Sequence, residues 1–277
     1  MTRYEPAIIL LLRATTWGVA LLTIAFIIFV LLNGANALFS ASGYSSGTFG
    51  MPTDILPPLL GSLLLTITTL LFALPIGIGT AIWLTEFAGQ SRLIDYLRLV
   101  TIAFSALPSI IYGLFGMALF VLTLGGGISF ISGVGTLTCL LIPTIVVISD
   151  EALRSVPQGY RTASLALGAT RWTTVRTAVL PIALSSIVTG AILGIGRIIG
   201  SAAPLMLTAT VFYSGTISFS PFNPVAALPV HLFYAMGASD PIAPSVTAPL
   251  LLVLTLVLYL VAFGVRRISS RRITANE

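Results

Sequence analysis

The sequence is poor in charge, cysteine and histidine. Only 8% of its 277 residues are charged, 57% are hydrophobic, and the mean hydropathy is +1.07. Soluble domains carry about 25% charged residues, so this composition excludes a soluble globular protein, and its hydrophobicity excludes a disordered one. The one cysteine, Cys139, has no partner for an intramolecular disulfide. The one histidine, His231, has no carboxylate or thiol near it in the sequence with which to build a metal site.

Lysine is absent, because all 13 basic residues are arginine. A phosphate-binding P-loop has the pattern Gly-x4-Gly-Lys-Ser/Thr, so this chain cannot contain one. No long uncharged run combines a nucleophile with a base. The sequence therefore predicts no catalytic residue, metal site or cofactor on this chain, and any ATP hydrolysis that drives it belongs to a separate polypeptide.

Long uncharged runs make up most of the sequence. A membrane-spanning helix needs about 20 mainly apolar residues, and the runs supply six such segments. The predicted fold class is therefore an all-α integral membrane protein with six transmembrane helices. A segment rich in proline, serine and aromatic residues, 201–245, is expected to form a long outer or re-entrant loop. The predicted spans are Ala14–Asn33, Ile55–Leu84, two within Leu99–Ser149 separated by a turn at Gly125–Gly127, Ala178–Gly200 and Val246–Val265.

The arginines predict the orientation of these spans, because arginines near helix ends stay on the cytoplasmic side. If the N-terminus is cytoplasmic and each span crosses once, 12 of the 13 arginines fall on that side. The outer loops then hold only Asp54 and Asp240. Both termini are therefore predicted to be cytoplasmic, and the pI of about 9.8 needs no nucleic-acid partner to explain it. An alternative is that the first span is a secretory signal cleaved at Ala35-Asn36-Ala37.

The spans divide the chain into three parts. Residues 1–54 contain an N-terminal tail, the first helix and an outer loop. Residues 55–265 form the transmembrane domain, and residues 266–277 form a cytoplasmic basic tail. A cytoplasmic segment, 150–177, separates the fourth and fifth predicted spans and is the longest cytoplasmic loop.

Segment 150–177 contains helix signals. A capping box beginning at Ser155 predicts a helix start, and Gly168 is expected to end the helix. Glu151 and Arg154 are three residues apart, a spacing that allows them to pair. Periodicity alone indicates a short amphipathic helix lying on the inner leaflet.

The same segment resembles the EAA loop of ABC importer permeases. Thr162-Ala163-Ser164 is followed, at the family spacing, by Gly168 and then by Ala178-Val179-Leu180-Pro181. The resemblance runs from about Ile55 to the C-terminus and implies a type I ABC importer permease (MetI-like) fold. Further stretches resemble the phosphate importer branch and its PstA-type permeases: Pro75–Gly79, Leu84–Ala88, Glu151–Arg161, Leu165–Trp172, Leu107–Gly116 and Gly196–Gly200 with Ala203–Leu205.

In that family the loop forms a coupling helix that docks on the ATP-hydrolysing subunit. The resemblance therefore implies several partners: an ATP-binding subunit dimer, a second, PstC-like permease subunit, a periplasmic or extracellular phosphate-binding protein, and the lipid of a bacterial plasma (inner) membrane. Two family glutamates are replaced, by Thr162 in the loop and by Ser201 after the fifth-span arginine. The residues implied in coupling are Tyr160, Arg161, Thr162, Ala163, Ser164, Gly168, Ala169 and Thr170.

Arg197 is the one arginine that the predicted topology leaves inside the membrane. Because an intramembrane arginine is costly, we expect a functional role, and its planar guanidinium suits an oxyanion such as phosphate. Arg197 and Ser201 are therefore the predicted substrate-path residues, with snorkelling of Arg197 to the outer headgroups as the alternative. Helical geometry places Arg197 in a stripe of small residues that is expected to face another helix: Ser186, Gly190, Gly194 and Ser201.

These observations predict a permease subunit of an ATP-driven importer, with inorganic phosphate as the expected solute. Another oxyanion or a small polar molecule is an alternative, because both family glutamates are replaced. A secondary transporter or channel is a third possibility. Such proteins usually carry acidic or histidine side chains inside their spans, whereas the only charged residue in these spans is Arg197.

Overall fold

The computed structural model describes residues 5–40, 55–89, 91–210, 220–237 and 242–274, and every regular element in these ranges is helical. Three π-helical stretches continue neighbouring helices: Trp83–Phe87 after α2, Met117–Thr123 after α4, and Val175–Val179 between α7 and α8. The α-helices are α1 (Glu5–Ser40), α2 (Leu56–Ile82), α3 (Arg92–Ser105), α4 (Ser109–Gly116), α5 (Phe130–Arg154), α6 (Gln158–Ala166), α7 (Arg171–Thr174), α8 (Leu180–Ile199), α9 (Ala202–Thr208), α10 (Leu228–Gly237) and α11 (Ile242–Thr274).

The third predicted span is broken, whereas the other five correspond to continuous helical stretches long enough to cross a membrane. In the third, α3 and α4 with its π-helical continuation meet at an angle of 98°. Pro108 explains the break, since it has no N–H to donate to the carbonyl of Phe104 and it disfavours helical geometry at Leu107. The long apolar run therefore predicted the crossing but not its bend.

The packing of α2 against α5 shows that α3 and α4 together cross the membrane. At one end of the pair, Thr85 Oγ1 donates to Asp150 Oδ1 at 2.7 Å. At the other end, segment 220–228 contacts both N-termini, through Ser62 of α2 and Phe130 of α5. The two helices are thus parallel, so the chain between them must return across the membrane. This return completes the six crossings and confirms the predicted fold class.

The buried core lies between α2, α5 and α8. Leu137 and Leu141 of α5 are fully buried in it. Gly190 and Gly194 of α8 lie so close to α5 that a Cβ at either position would come within 2.5 Å of Ile148 or 2.8 Å of Leu141, respectively. The small residues of α8 are therefore the face on which it packs against α5.

Several element boundaries differ from those expected. α5 continues to Arg154, so the first residues assigned to the cytoplasmic segment are its last turn. The alternative cleavage motif, Ala35–Ala37, lies inside α1. The expected outer loop contains α9 and α10, while its residues 211–219 and 238–241 lie outside the described ranges.

Candidate coupling and translocation site

The candidate coupling helix, α6, follows α5 after residues 155–157. Ser155 has helical φ and ψ of −67° and −17°, and its Oγ donates to the carbonyl of Ala152 at 2.8 Å. The predicted capping box is therefore wrong, because this hydroxyl turns back into α5, and Pro157 takes the N-cap position of α6. Gly168 has a φ of +83°, a left-handed conformation that favours glycine, and it marks the end of the helix as predicted.

Most of α6 and the turn after it is exposed. Tyr160, Thr162 and Ala163 are exposed, and Leu167 is 90% exposed. None of the residues of α6 is buried. Apolar side chains grouped on such a surface are typical of a contact with another protein. We define the α6 surface as Tyr160, Thr162, Ala163, Leu167 and Gly168. The side of the membrane on which these residues lie is the α6 side.

Arg161 differs from its neighbours in α6 because its side chain points into the protein. Its Nε and Nη2 donate to Glu86 Oε1 at 3.1 and 2.8 Å, and both side chains are only 12% exposed. Nη1 also donates to the carbonyl of Val156 at 2.7 Å, and Nη2 to that of Leu153 at 2.8 Å. Arg161 therefore joins α6 to the π-helical end of α2 and to the end of α5.

Asp150 forms a second junction, between α2, α3 and α5. Its Oδ2 lies 3.1 Å from Arg154 Nε and 3.3 Å from Arg98 Nε, and its Oδ1 accepts the hydrogen bond from Thr85. The predicted pairing of Glu151 with Arg154 is wrong, because Arg154 pairs instead with Asp150, one turn earlier on the same helix. Glu151 itself is exposed.

Glu86 and Asp150 are not among the functional residues predicted from the sequence. Each is found directly after a long uncharged run, Ile55–Thr85 or Leu99–Ser149. A carboxylate in that position marks the end of a membrane-spanning helix near the arginines of the same side. This signal was available in the sequence, although the identity of each partner was not.

The remaining predicted coupling residues, Ser164, Ala169 and Thr170, form the connection between α6 and α7. The hydroxyl oxygens of Ser164 and Thr174 lie 2.9 Å apart, which joins α6 to α7. Thr170 is the N-cap of α7 and accepts a hydrogen bond from the N–H of Thr173 at 3.2 Å. Ala169, between them, is half-buried. These residues fix the angle between α6 and the start of the fifth crossing.

Arg197 lies where α8 meets α5 and the break between α3 and α4. Its Nη1 donates to the Ser105 carbonyl and to Thr144 Oγ1, both at 2.8 Å, and its Nη2 donates to the Leu107 carbonyl at 3.2 Å. A helix that ends inside a membrane leaves carbonyl oxygens without backbone partners. Arg197 supplies donors to two of the carbonyls at this break, so its guanidinium is held between helices.

The Arg197 guanidinium still has donors to offer. Three of its five N–H groups are used, and within the described residues the other two have no acceptor. Ser201 is buried one turn later, and its Oγ donates to the Arg197 carbonyl at 2.5 Å. The two predicted path residues are therefore close together, with Arg197 on α8 and Ser201 at the N-cap of α9, but the serine hydroxyl bonds to the Arg197 carbonyl and not to the guanidinium.

Comparison with known proteins agrees with this architecture. The family described as "Binding-protein-dependent transport system inner membrane component" matches residues 73–275. The probable ABC transporter permease protein YqgI of Bacillus subtilis is 34% identical over 227 residues, covering 78% of this chain and 77% of that protein. The phosphate transport system permease protein PstA of Xylella fastidiosa is 34% identical over 224 residues, covering 78% and 75%.

Solved structures share the same fold. An inward-facing structure of the MetNI methionine ABC transporter matches with a TM-score of 0.61 at 20% identity, over 78% of this chain and 94% of that one. A bacterial ABC transporter involved in the import of alginate matches with a TM-score of 0.63 at 15% identity, over 91% and 95%. The family match and the permease relatives, rather than these structures, set aside the secondary-transporter alternative. The chain belongs to the inner membrane component family of binding-protein-dependent transport systems, and it is a permease subunit of an ABC importer rather than an enzyme.

Proposed function

We propose that this permease imports inorganic phosphate across a bacterial inner membrane, with α6 and both termini in the cytoplasm. The observation that carries the proposal is Arg197, a cation held at a helix junction by neutral oxygens with two N–H groups unused. Phosphate offers several acceptor oxygens to such a group, and hydrogen bonds between charged partners are the strong ones. The similarity to permeases named for phosphate transport supports the same solute.

The proposed orientation is supported by the arginines of the central helices. Except for Arg197, they lie on the α6 side, whereas segment 220–237 on the opposite side has none. An excess of arginine on one side of a membrane protein is typical of the cytoplasmic side. The arginines concerned are Arg92, Arg98, Arg154, Arg161, Arg171 and Arg176.

We assign the α6 surface to the contact with an ATP-binding subunit dimer. Leu167 and Tyr160 are available for that contact, while Arg161 ties the same helix to α2 and α5. A displacement of α6 would therefore move the ends of two parallel crossings together. A second, PstC-like permease subunit would complete the path, and a phosphate-loaded binding protein would deliver the solute from the opposite side.

Phosphate uptake by vesicles containing the complete importer tests the proposal. We expect Arg197→Gln to abolish uptake in complexes that still co-purify with the ATPase subunit. The matched control is Arg267→Gln, which removes an exposed arginine from α11, and it should leave uptake unchanged. Unchanged uptake in an assembled Arg197→Gln complex would contradict the assignment of Arg197 to the path.

Competition identifies the solute in the unmodified complex. Arsenate has the shape and charge of phosphate and should reduce phosphate uptake, whereas sulfate should not. If sulfate competes as well as arsenate does, the solute is a broader class of oxyanion. The replacement of a family glutamate by Ser201 would favour this broader specificity.

A further inference from the structure

A groove lies between α8 and α11, and neither the coupling helix nor Arg197 lines it. It has a volume of about 320 Å³, within the range of about 300–1,000 Å³ that is usual for small-molecule sites. Its walls are almost entirely apolar, and Arg266 is the one charged residue among those that line it. The principal wall residues are Ile192 and Leu193 of α8 and Leu256, Leu260 and Phe263 of α11.

The position of the groove matches one leaflet of a bilayer. Leu256 and Arg266 are ten residues apart on α11, a rise of about 15 Å, which is half of a hydrocarbon core of about 30 Å. α11 runs antiparallel to α8, because α8 begins next to α6 and α7, whereas Val246 near the start of α11 clusters with Ile55 and Leu228 on the opposite side. Arg266 therefore lies at the end of the groove nearer the α6 side, at the depth of the headgroups.

Charge distinguishes this groove from an ordinary lipid-facing surface. In the described part of the chain no carboxylate forms an ion pair with Arg266, and the adjacent Arg267 is exposed. An unpaired guanidinium at the end of an apolar slot is complementary to one acyl chain with an anionic headgroup. A packed protein helix would instead be expected to bring a carboxylate to Arg266, since a desolvated unpaired charge is costly.

We propose that this groove is a binding site for an anionic phospholipid, with one acyl chain between α8 and α11 and the headgroup phosphate at Arg266. The proposal does not rest on the transported solute and depends only on the insertion of the helices in a membrane. One arginine near a charged membrane surface supplies roughly a fivefold preference for anionic over zwitterionic lipid. The site should therefore enrich anionic lipid about fivefold over the bulk bilayer.

Fluorescence quenching by brominated lipids tests the site in the full chain. Leu260 is 69% exposed, so Leu260→Trp is expected to fold, and the introduced indole would report on the groove. The variant is reconstituted in phosphatidylcholine vesicles containing an equal mole fraction of brominated phosphatidylglycerol or of brominated phosphatidylcholine. The fluorescence of the unmodified chain, which has Trp17, Trp83 and Trp172, is subtracted.

Brominated phosphatidylglycerol should quench the introduced indole as if this lipid were about fivefold enriched at the groove, and brominated phosphatidylcholine should quench it at the bulk level. Adding Arg266→Gln should remove the difference, while adding Arg267→Gln, the matched control, should leave most of it. Equal quenching by the two lipids, or a preference that survives Arg266→Gln, would overturn the proposal. So would the absence of quenching by either lipid together with disulfide-linked dimers of Leu260→Cys, since a second protein surface would then cover the groove.

Discussion

The junction between Arg161 and Glu86 predicts that a single neutral substitution loosens the coupling helix. Glu86→Gln removes the negative charge that faces the guanidinium while keeping the shape of the side chain. The hydrogen bonds that two nitrogens of Arg161, Nε and Nη2, donate to Glu86 lose their charge assistance in a setting where both side chains are only 12% exposed. Bonds to charged groups are worth about 1.5–3 kcal/mol each, and glutamine keeps one acceptor, so we expect a net loss of about 2 kcal/mol. This corresponds to roughly a 30-fold increase in the population in which α6 is detached.

Hydrogen–deuterium exchange measures that population directly. In the purified chain, peptides covering residues 156–166 should exchange about 30-fold faster in Glu86→Gln, whereas peptides from the middle of α5 should not change. Glu151→Gln is the matched control, because Glu151 is an exposed carboxylate on the same side of the membrane. Equal exchange of α6 in the two variants would refute the view that the ion pair holds α6 to the transmembrane helices.

Three further substitutions have definite expected outcomes. Arg197→Gln removes the guanidinium that donates to two carbonyl oxygens of the α3–α4 break, and an unpaired buried carbonyl costs about 1–3 kcal/mol. This variant should therefore lower the melting temperature more than Thr144→Val, which removes one neutral acceptor. Gly168→Val places a β-branched residue at a φ of +83° and should reduce co-purification of the ATPase subunit, whereas Gly168→Asn should largely preserve it. Asp150→Asn should lower thermal stability more than Asp95→Asn, because Asp150 meets two arginines while the Asp95 side chain is 80% exposed and 3.8 Å from its partner. Equal melting temperatures of Arg197→Gln and Thr144→Val, or of Asp150→Asn and Asp95→Asn, would contradict the roles given to Arg197 or Asp150. Equal co-purification of the two Gly168 variants would contradict the role given to Gly168.

The sequence predicted the crossings well because the physical requirement behind them is local. A helix in hydrocarbon needs about 20 apolar residues wherever it packs, so composition alone locates it. The end of α6 was also predictable from local sequence, because it required only a glycine, Gly168, at the end of the helical pattern. The break at Pro108 was equally local, and the proline could have indicated it within an otherwise continuous apolar run.

The interhelical partners could not be predicted in the same way. Arg161 and Glu86 are 75 positions apart, and Arg197 and Ser105 are 92 apart. Helical periodicity gives the face on which a side chain lies, but not which of the other helices packs there. The arginine predicted to face the ATPase thus turns inward, and the arginine predicted for the substrate path also closes a helix break.

The uncharged surroundings of Arg197 have a consequence for the electrical behaviour of the protein. Its acceptors are two carbonyls and a hydroxyl, and no ion pair of this guanidinium occurs in the described part of the chain. A full positive charge therefore persists in a medium of low dielectric constant, where repulsion of like charges is far stronger than in water. In the path proposed above, that charge would repel sodium ions and hydrated protons while attracting an anion. With Arg197 in that proposed path, the carrier would open and close without letting cations discharge the voltage across the bilayer.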